Sequence, residues 1–454
     1  MITTINPATD RVINKYEVMN EQRVDNIILS CSRAQSVWKE QSYQERAIIL
    51  YKVAGLLEAQ KQDCARLITE EMGKPLAQAI AEVEKCALVC RYYADYAEQQ
   101  LADESIPTEA QKSYVTYQPL GTVLAIMPWN FPFWQVFRCA APILMVGNAM
   151  LLKHAENTTG CSLKIENIFR EAGLNEGLFR SLVIPVEDIA RVIRHQHVHA
   201  ITFTGSTRAG RIVASQAGAA LKPVVLELGG SDPYIVLNDA NLDQAVELCS
   251  TSRLLNSGQS CIAGKRFIVE EGVYDQFVSR LAEKVRSYQM GNPLDSHTSI
   301  GPMARKDLRD DLHKQVLESI EHGASCILGG DIPDREGSFY PVTILEGIKP
   351  GMPAYDEELF GPVFSLIKVK DEEEAVRVAN DTNYGLGAAI FSKNEVKAEE
   401  LASRYIQAGS CFINDYVRSD PRLPFGGIKD SGFGRELSAF GIKEFVNIKT
   451  VYLK

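Results

Sequence analysis

Apolar residues recur at helical spacing over positions 22–41, 43–71 and 75–102, with acidic and basic residues on the outer faces. Three amphipathic helices are expected there. The pattern then changes. Positions 113–117 alternate polar and apolar, which predicts a strand. The largely apolar segment 121–127 predicts a buried strand and 149–153 another strand, with a helix continuing through 142–147 between them. A helix over 162–172 stops at Gly173. A strand over 199–203 runs into Thr204-Gly205-Ser206, with 208–218 helical after it. Further strands are expected at 224–228, 234–237 and 266–269. Helices are expected at 241–255, capped by Asn238 or Asp239, and at 274–288. A second alternating series runs on to about Asn414. Strand and helix in alternation predict parallel, doubly wound sheets, so the fold class is α/β with two such domains. The tail, 445–453, alternates weakly and reads as a terminal strand that pairs with another element or another subunit.

Composition narrows the class of protein. A chain of 454 residues folds as two to three domains. With 45% hydrophobic and 23% charged residues it has the make-up of a soluble globular protein. Net charge is 48 − 58 = −10, which argues against a nucleic-acid partner but not against a small anionic substrate. The most apolar stretch, 123–152, is broken by Pro128, Asn130, Pro132, Gln135, Arg138 and Pro142, so it reads as buried core and not as a membrane span. The start has no basic region followed by an apolar one, so no secretory signal is visible. Ten dispersed cysteines include no C-x-x-C pair and no Cys/His cluster at metal spacing. A cytoplasmic, metal-free protein is expected. His195, His197 and His199 alternate, and are read as a solvated or half-buried edge in preference to a metal-binding strand face.

The candidate chemistry lies in two segments. Asn256-Ser-Gly-Gln-Ser-Cys261 offers a thiol, and Leu226-Glu-Leu-Gly-Gly230 offers the carboxylate of Glu227. A thiol attacks a carbonyl, and a carboxylate then activates water against the resulting thioester. A free thiol of pKa about 8.5 is only slightly ionised near neutrality, so the site is expected to raise the thiolate fraction. Gly205-Ser-Thr-Arg-Ala-Gly210 sits at a strand-to-helix turn, where backbone N–H groups meet anions. It is not a P-loop, because Arg211 follows Gly210, and the chain has no G-x-G-x-x-G. Lys153 and Glu156, at another strand end, are placed to grip a ribose. Both segments point to one crevice beyond the carboxyl ends of the strands.

Further motifs follow in a fixed order. They are Pro128-Trp-Asn-Phe-Pro132, Phe203-Thr-Gly-Ser206, Glu357-Glu-Leu-Phe-Gly-Pro362, Pro424-Phe-Gly-Gly-Ile-Lys429 and Gly432-Phe-Gly-Arg-Glu436, with Ile5-Asn-Pro-Ala-Thr9 at the start. With these the chain resembles the aldehyde dehydrogenase family over nearly its whole length. Through 229–239 and 301–310 it is most similar to the bacterial NAD(P)-linked succinate-semialdehyde dehydrogenases. The resemblance implies a dinucleotide-binding domain over 1–110 and 120–229, a catalytic domain over 230–425, and a small β oligomerisation element over 111–119 and 426–454. It implies a homodimer or homotetramer.

The same resemblance assigns roles. Cys261 is the nucleophile, Glu227 the base, and Asn130 holds the oxyanion with the Cys261 N–H. Lys153 and Glu156 take the adenosine ribose, Gly205 and Ser206 the pyrophosphate, and Glu358 the nicotinamide ribose. Trp129, Phe360 and Leu228 complete the cofactor site. The Glu156 carboxylate favours NAD over NADP, while Lys153 pulls the other way and keeps NADP within reach. Glu227 also argues against a CoA-acylating relative, which has no need of it. Arg138 is the candidate for a substrate carboxylate, with Ser419 and Phe425 beside it. A second arginine common in these enzymes is replaced by Leu255, with Arg253 two positions earlier, so Arg418 and Arg422 are candidate replacements. The other reading of Arg138 is a structural arginine paired with an acid.

Overall fold

Strands Thr122–Met127, Ala149–His154 and Ala200–Thr204 are buried at every position, as unbroken apolar runs require when both sheet faces are covered. In the computed structural model, which describes residues 1–454, they form the middle of a six-stranded sheet. Its order is Gly432–Phe433, Val224–Glu227, Ala200–Thr204, Thr122–Met127, Ala149–His154, Phe179–Ser181. All neighbours are parallel except the first pair. The chain winds outward from Thr122–Met127 in one direction, then returns through Ala200–Thr204 in the other. The crevice at that reversal is where ligands bind in such sheets.

A second sheet has seven strands, in the order Ser325–Leu328, Thr343–Glu346, Val363–Val369, Gly264–Glu270, Asp232–Val236, Gly387–Phe391, Ser410–Ile413. Only the first pair is antiparallel. Alternate residues serve separate cores. Ile235, Ile268 and Ile390 pack on one face, while Tyr234, Phe267 and Phe391 pack on the other. A small antiparallel sheet joins Val446–Leu453, Lys112–Pro119 and Glu104–Ser105. No helix is long and apolar enough to cross a membrane.

Several boundaries differ from those expected. The helix over 43–71 is two helices, Tyr43–Ala59 and Lys61–Met72, divided at Gln60. The Gln60 side chain bonds Glu171 and Lys164 on a neighbouring helix, an interaction that periodicity does not encode. Helix Leu242–Leu254 is capped by Asn241, which accepts from the Gln244 N–H, and not by Asn238 or Asp239. Asp239 instead binds Ser392 and Asn394. The three histidines share no strand face. His195 ends a helix, His197 contacts Ser32, and His199 accepts from the Thr122 N–H just before its strand begins.

The tail is also divided. Gly432–Phe433 pairs with Leu226 and Glu227 at the edge of the six-stranded sheet, and helix Ser438–Lys443 packs on helices Leu76–Gln100 and Trp134–Val146. Only Val446–Leu453 reaches the small sheet, while Glu104–Ser105, expected with the first domain, lies there too. Covering an exposed strand edge is the physical reason for the detour.

Asn148 ties these parts together. Fully buried, it accepts from the Gly121 N–H at 2.8 Å and donates to the Phe445 carbonyl at 2.8 Å. Asn148→Ala is expected to leave both backbone groups unpaired and to lower unfolding stability by about 1–3 kcal/mol. Urea denaturation measures this, and an unchanged midpoint refutes it.

Candidate active site

Cys261 sits on a turn that the backbone resists. Asn256, Ser257 and Gly258 have φ of 56°, 55° and 76°, three successive left-handed residues. The two non-glycine residues cost about 1–3 kcal/mol each, and side-chain hydrogen bonds hold them there. Asn256 Nδ2 donates to the Asn130 carbonyl at 2.7 Å and the Gln259 carbonyl at 3.1 Å. Ser257 Oγ donates to the Gly301 carbonyl at 3.1 Å, and the Gly301 N–H returns the contact at 3.0 Å. Gly258 has no substitute, since a Cβ there lies 2.3 Å from the Gly361 carbonyl oxygen.

Asn130 reaches the same turn from the end of strand Thr122–Met127. Its Nδ2 donates to the Gln259 carbonyl at 3.0 Å, and Gln135 Nε2 donates to its Oδ1 at 3.0 Å. An amide nitrogen carries two N–H bonds, so one remains for a developing oxyanion. From the opposite side, buried Lys265 donates to the carbonyls of Ser260 at 2.9 Å and Cys261 at 2.7 Å.

Two cavities meet at this thiol, and Cys261 and Gln135 line both. One, of about 250 Å³, opens along the crevice of the six-stranded sheet. Trp129, Asn130, Gly205 and Ser206 line it, with Leu228, Glu358 and Phe360. The Trp129 and Phe360 rings stand edge to face with centroids 5.8 Å apart. Ser206 caps helix Thr207–Ala219, whose first-turn N–H groups face an anion-binding position. Glu358 accepts from the Gly230 N–H at 3.0 Å and lies 3.3 Å from Lys265. A glycine-walled cleft with a helix N-terminus at one end and crossed aromatic rings at the other fits a dinucleotide. Lys153 and Glu156 lie outside this cavity. Lys153 is buried near the end of strand Ala149–His154, and Glu156 is exposed on the turn that follows. Burial pushes the Lys153 ammonium down, and Glu156 acts against that.

The other cavity, of about 260 Å³, contains Arg138, Ser419 and Phe425, together with Leu255 and Arg418. Arg138 is engaged. It forms a buried ion pair with Glu436, donates to Thr204 Oγ1 at 3.4 Å, and stacks over the Phe425 ring at 4.7 Å. The reading of Arg138 as an arginine paired with an acid describes these contacts. Arg418 pairs with Asp415, and Arg422 pairs with Asp420 outside the cavity. Arg253 is buried against backbone carbonyls, among them Leu359 at 2.6 Å.

The resting electrostatics correct one expectation. The site does not raise the thiolate fraction. Burial pushes the Cys261 thiol up to about 12, although Lys265 and Arg138 pull it down. Glu227 is held well above the usual carboxylate range by burial and by the nearby Glu436. Neither of its oxygens has a hydrogen-bond partner, and the carboxyl lines neither cavity. It lies against Gly426 instead, where a Cβ would meet Oε1 at 2.8 Å. Cys261 and Asn130 are thus together, while Glu227 is set back. Lys265, Gln135, Glu436 and Lys85 escaped the sequence reading. The signal for Lys265 was present: Lys265 and Arg266 open strand Gly264–Glu270, which is buried throughout.

One thiol at the meeting of a dinucleotide-shaped cleft and a separate substrate-sized cavity is the arrangement of an α/β dehydrogenase. The model of the aldehyde dehydrogenase family matches residues 1–451, and the chain belongs to that family. It is 47% identical over 100% of its length to the probable succinate-semialdehyde dehydrogenase, NADP(+), of Synechocystis sp., covering 99% of that protein. It is 45% identical to the NAD(P)+ succinate semialdehyde dehydrogenase Sad of Escherichia coli, covering 99% of this chain and 97% of that one. The crystal structure of succinic semialdehyde dehydrogenase from Streptococcus pyogenes, in complex with NADP+, matches with a TM-score of 0.98 at 38% identity, covering 100% of both chains.

Replacing Arg138 by Met leaves Glu436 buried without its counter-charge. A stability loss of about 3–5 kcal/mol is expected, partly recovered by adding Glu436→Gln. Denaturant midpoints of the single and double variants check this, and a neutral single variant overturns it.

Proposed function

We propose that this protein oxidises succinate semialdehyde to succinate with NAD(P), through a thioester on Cys261. The observation that carries the reading is the placement of Cys261 where a cation-lined cavity meets a dinucleotide-shaped cleft. The names of the relatives support the substrate.

Cys261 gives up its thiol proton to solvent as Sγ attacks the aldehyde carbon, and the carbonyl electron pair moves onto oxygen. The second Asn130 Nδ2–H and the Cys261 N–H meet that charge, each donor being worth about 3 kcal/mol of barrier. Trp129, Phe360, Leu228, Gly205, Ser206 and Glu358 would hold the dinucleotide, which when bound would supply the hydride acceptor. A thioester then remains on the sulfur. Glu227, swung from its recess toward Cys261, takes a proton from the water that attacks the thioester. The acid leaves, and the sulfur regains its proton.

Glu156 gives the reading its cofactor preference. Its exposed carboxylate suits two ribose hydroxyls and repels a 2′-phosphate, so NAD is favoured, with Lys153 tempering the effect. The small sheet supports a homo-oligomer. Its edge strand Val446–Leu453 has one free side and exposes Ile448, Tyr452 and Leu453. All ten cysteines are free thiols, which supports a cytoplasmic setting.

Three measurements test the reading. Glu227→Gln is expected to retain one rapid burst of NAD(P)H per site, followed by turnover slowed about 100-fold or more. The wild-type turnover should rise with pH through a range above that of an ordinary carboxylate, because only ionised Glu227 acts as base and its pKa is raised. Loss of the burst, or a variant as fast as wild type, refutes the role of Glu227. For the cofactor, kcat/KM should favour NAD, and Glu156→Ser should shift the NADP/NAD ratio upward about tenfold. A wild type tenfold better with NADP defeats the Glu156 argument.

A further inference from the structure

Three cations line the substrate-sized cavity: Lys85, Arg138 and Arg418. Two have carboxylate partners, Arg138 in Glu436 and Arg418 in Asp415. Lys85 has none. Its Nζ donates to Ser419 Oγ at 2.8 Å and lies 4.3 Å from the centre of the Trp134 ring. An ammonium carries three donors, so its hydrogen-bonding capacity is unfilled. The carboxylates nearby are committed elsewhere. Glu82 Oε1 accepts from the N–H groups of Phe133 at 2.9 Å and Trp134 at 3.0 Å, and its other oxygen pairs with Lys74. Asp420 is held by Arg422, through Nε at 2.9 Å and Nη2 at 2.6 Å. Helix geometry points Lys85 inward, since Gln78, Ala81, Glu82 and Lys85 share one face of helix Leu76–Gln100 and all line the cavity.

We propose that Lys85, steadied by Ser419, is the residue that binds the substrate carboxylate, while Arg138 serves to neutralise Glu436. This rests on the succinate-semialdehyde reading and names the contact behind it. The charge state of Lys85 agrees with the geometry. Burial and the facing Arg138 push its ammonium down to about 8, while Cys86, Asp420 and Glu82 act the other way. A bound carboxylate supplies the missing counter-charge and reverses that shift. The aldehyde end is then directed at Cys261 in the same cavity.

The test compares wild type, Lys85→Met and Lys85→Arg on succinate semialdehyde and on butanal, which has four carbons and no carboxylate. In wild type kcat/KM favours succinate semialdehyde. Lys85→Met is expected to cut the ratio of the two kcat/KM values about 10- to 100-fold, mainly through KM, with Lys85→Arg restoring part of it. If Lys85→Met does not fold, Lys85→Gln gives the same reading. A ratio that is high in wild type and unmoved by these substitutions overturns the proposal and leaves the substrate reading standing. A wild-type ratio near one overturns the substrate reading instead. Lys85 is then judged with succinate as a competitive inhibitor: weaker inhibition in Lys85→Met supports the carboxylate contact, and equal inhibition overturns it.

Discussion

The hydrogen-bond knot among Asn130, Asn256 and Gln259 joins the two α/β halves beside the Cys261 sulfur. Asn130 belongs to the crevice of the six-stranded sheet, whereas Asn256 and Gln259 lie between Asp232–Val236 and Gly264–Glu270, neighbouring strands of the seven-stranded one. Without the knot, only the Ser257–Gly301 contacts remain to offset the strain of the left-handed turn at Asn256 and Ser257. Cys261 would then lose its position between the cavities. Lys265 completes the arrangement from the other side, binding the Cys261 carbonyl and facing Glu358. Cys261, Asn130 and Glu358 are therefore fixed to one another by buried side chains, most of them anchored on backbone carbonyls. Geometry of this kind is what lets a donor act at a transition state without reorganising.

The alternation of strand and helix was plain in the sequence, because a parallel sheet covered on both faces demands continuous apolar runs. Its crevice was legible for the same reason. Motifs around Cys261, Asn130 and Glu227 named the residues and their neighbours, and the structure adds where each one points. What periodicity could not supply was pairing across distance. Nothing in the stretch around Arg138 announces Glu436, almost three hundred residues later, as its partner. Gln60 breaks a continuous helical pattern because of contacts to a helix remote in sequence. The tail was expected to leave the body as one element, but a two-residue strand is too short to register as alternation. Lys85 was hidden for a different reason. On an amphipathic helix a lysine is normally a solvated residue, and only the packed structure reveals that this one faces inward.

Cys261 and Glu227 are both pushed toward their neutral forms, and by the same cause. Burial raises Cys261 and Glu227 together; Glu227 adds to the rise at Cys261, and Glu436 adds to the rise at Glu227. A thiolate and a carboxylate held constantly ionised in so dry a site would repel and would invite side reactions with water. Setting Glu227 back against Gly426 separates the two groups in space. Arg138 fits this scheme. By pairing with Glu436 it keeps a second buried carboxylate from pressing further on Glu227, and it lends part of its field to the sulfur. A cation with these duties is poorly placed to act also as the partner of an incoming substrate. Each new carboxylate in the cavity would compete with Glu436 for the same guanidinium and release charge beside the base. Recognition by a separate, unpaired ammonium avoids that competition, leaving the buried pair intact while substrate enters and product leaves.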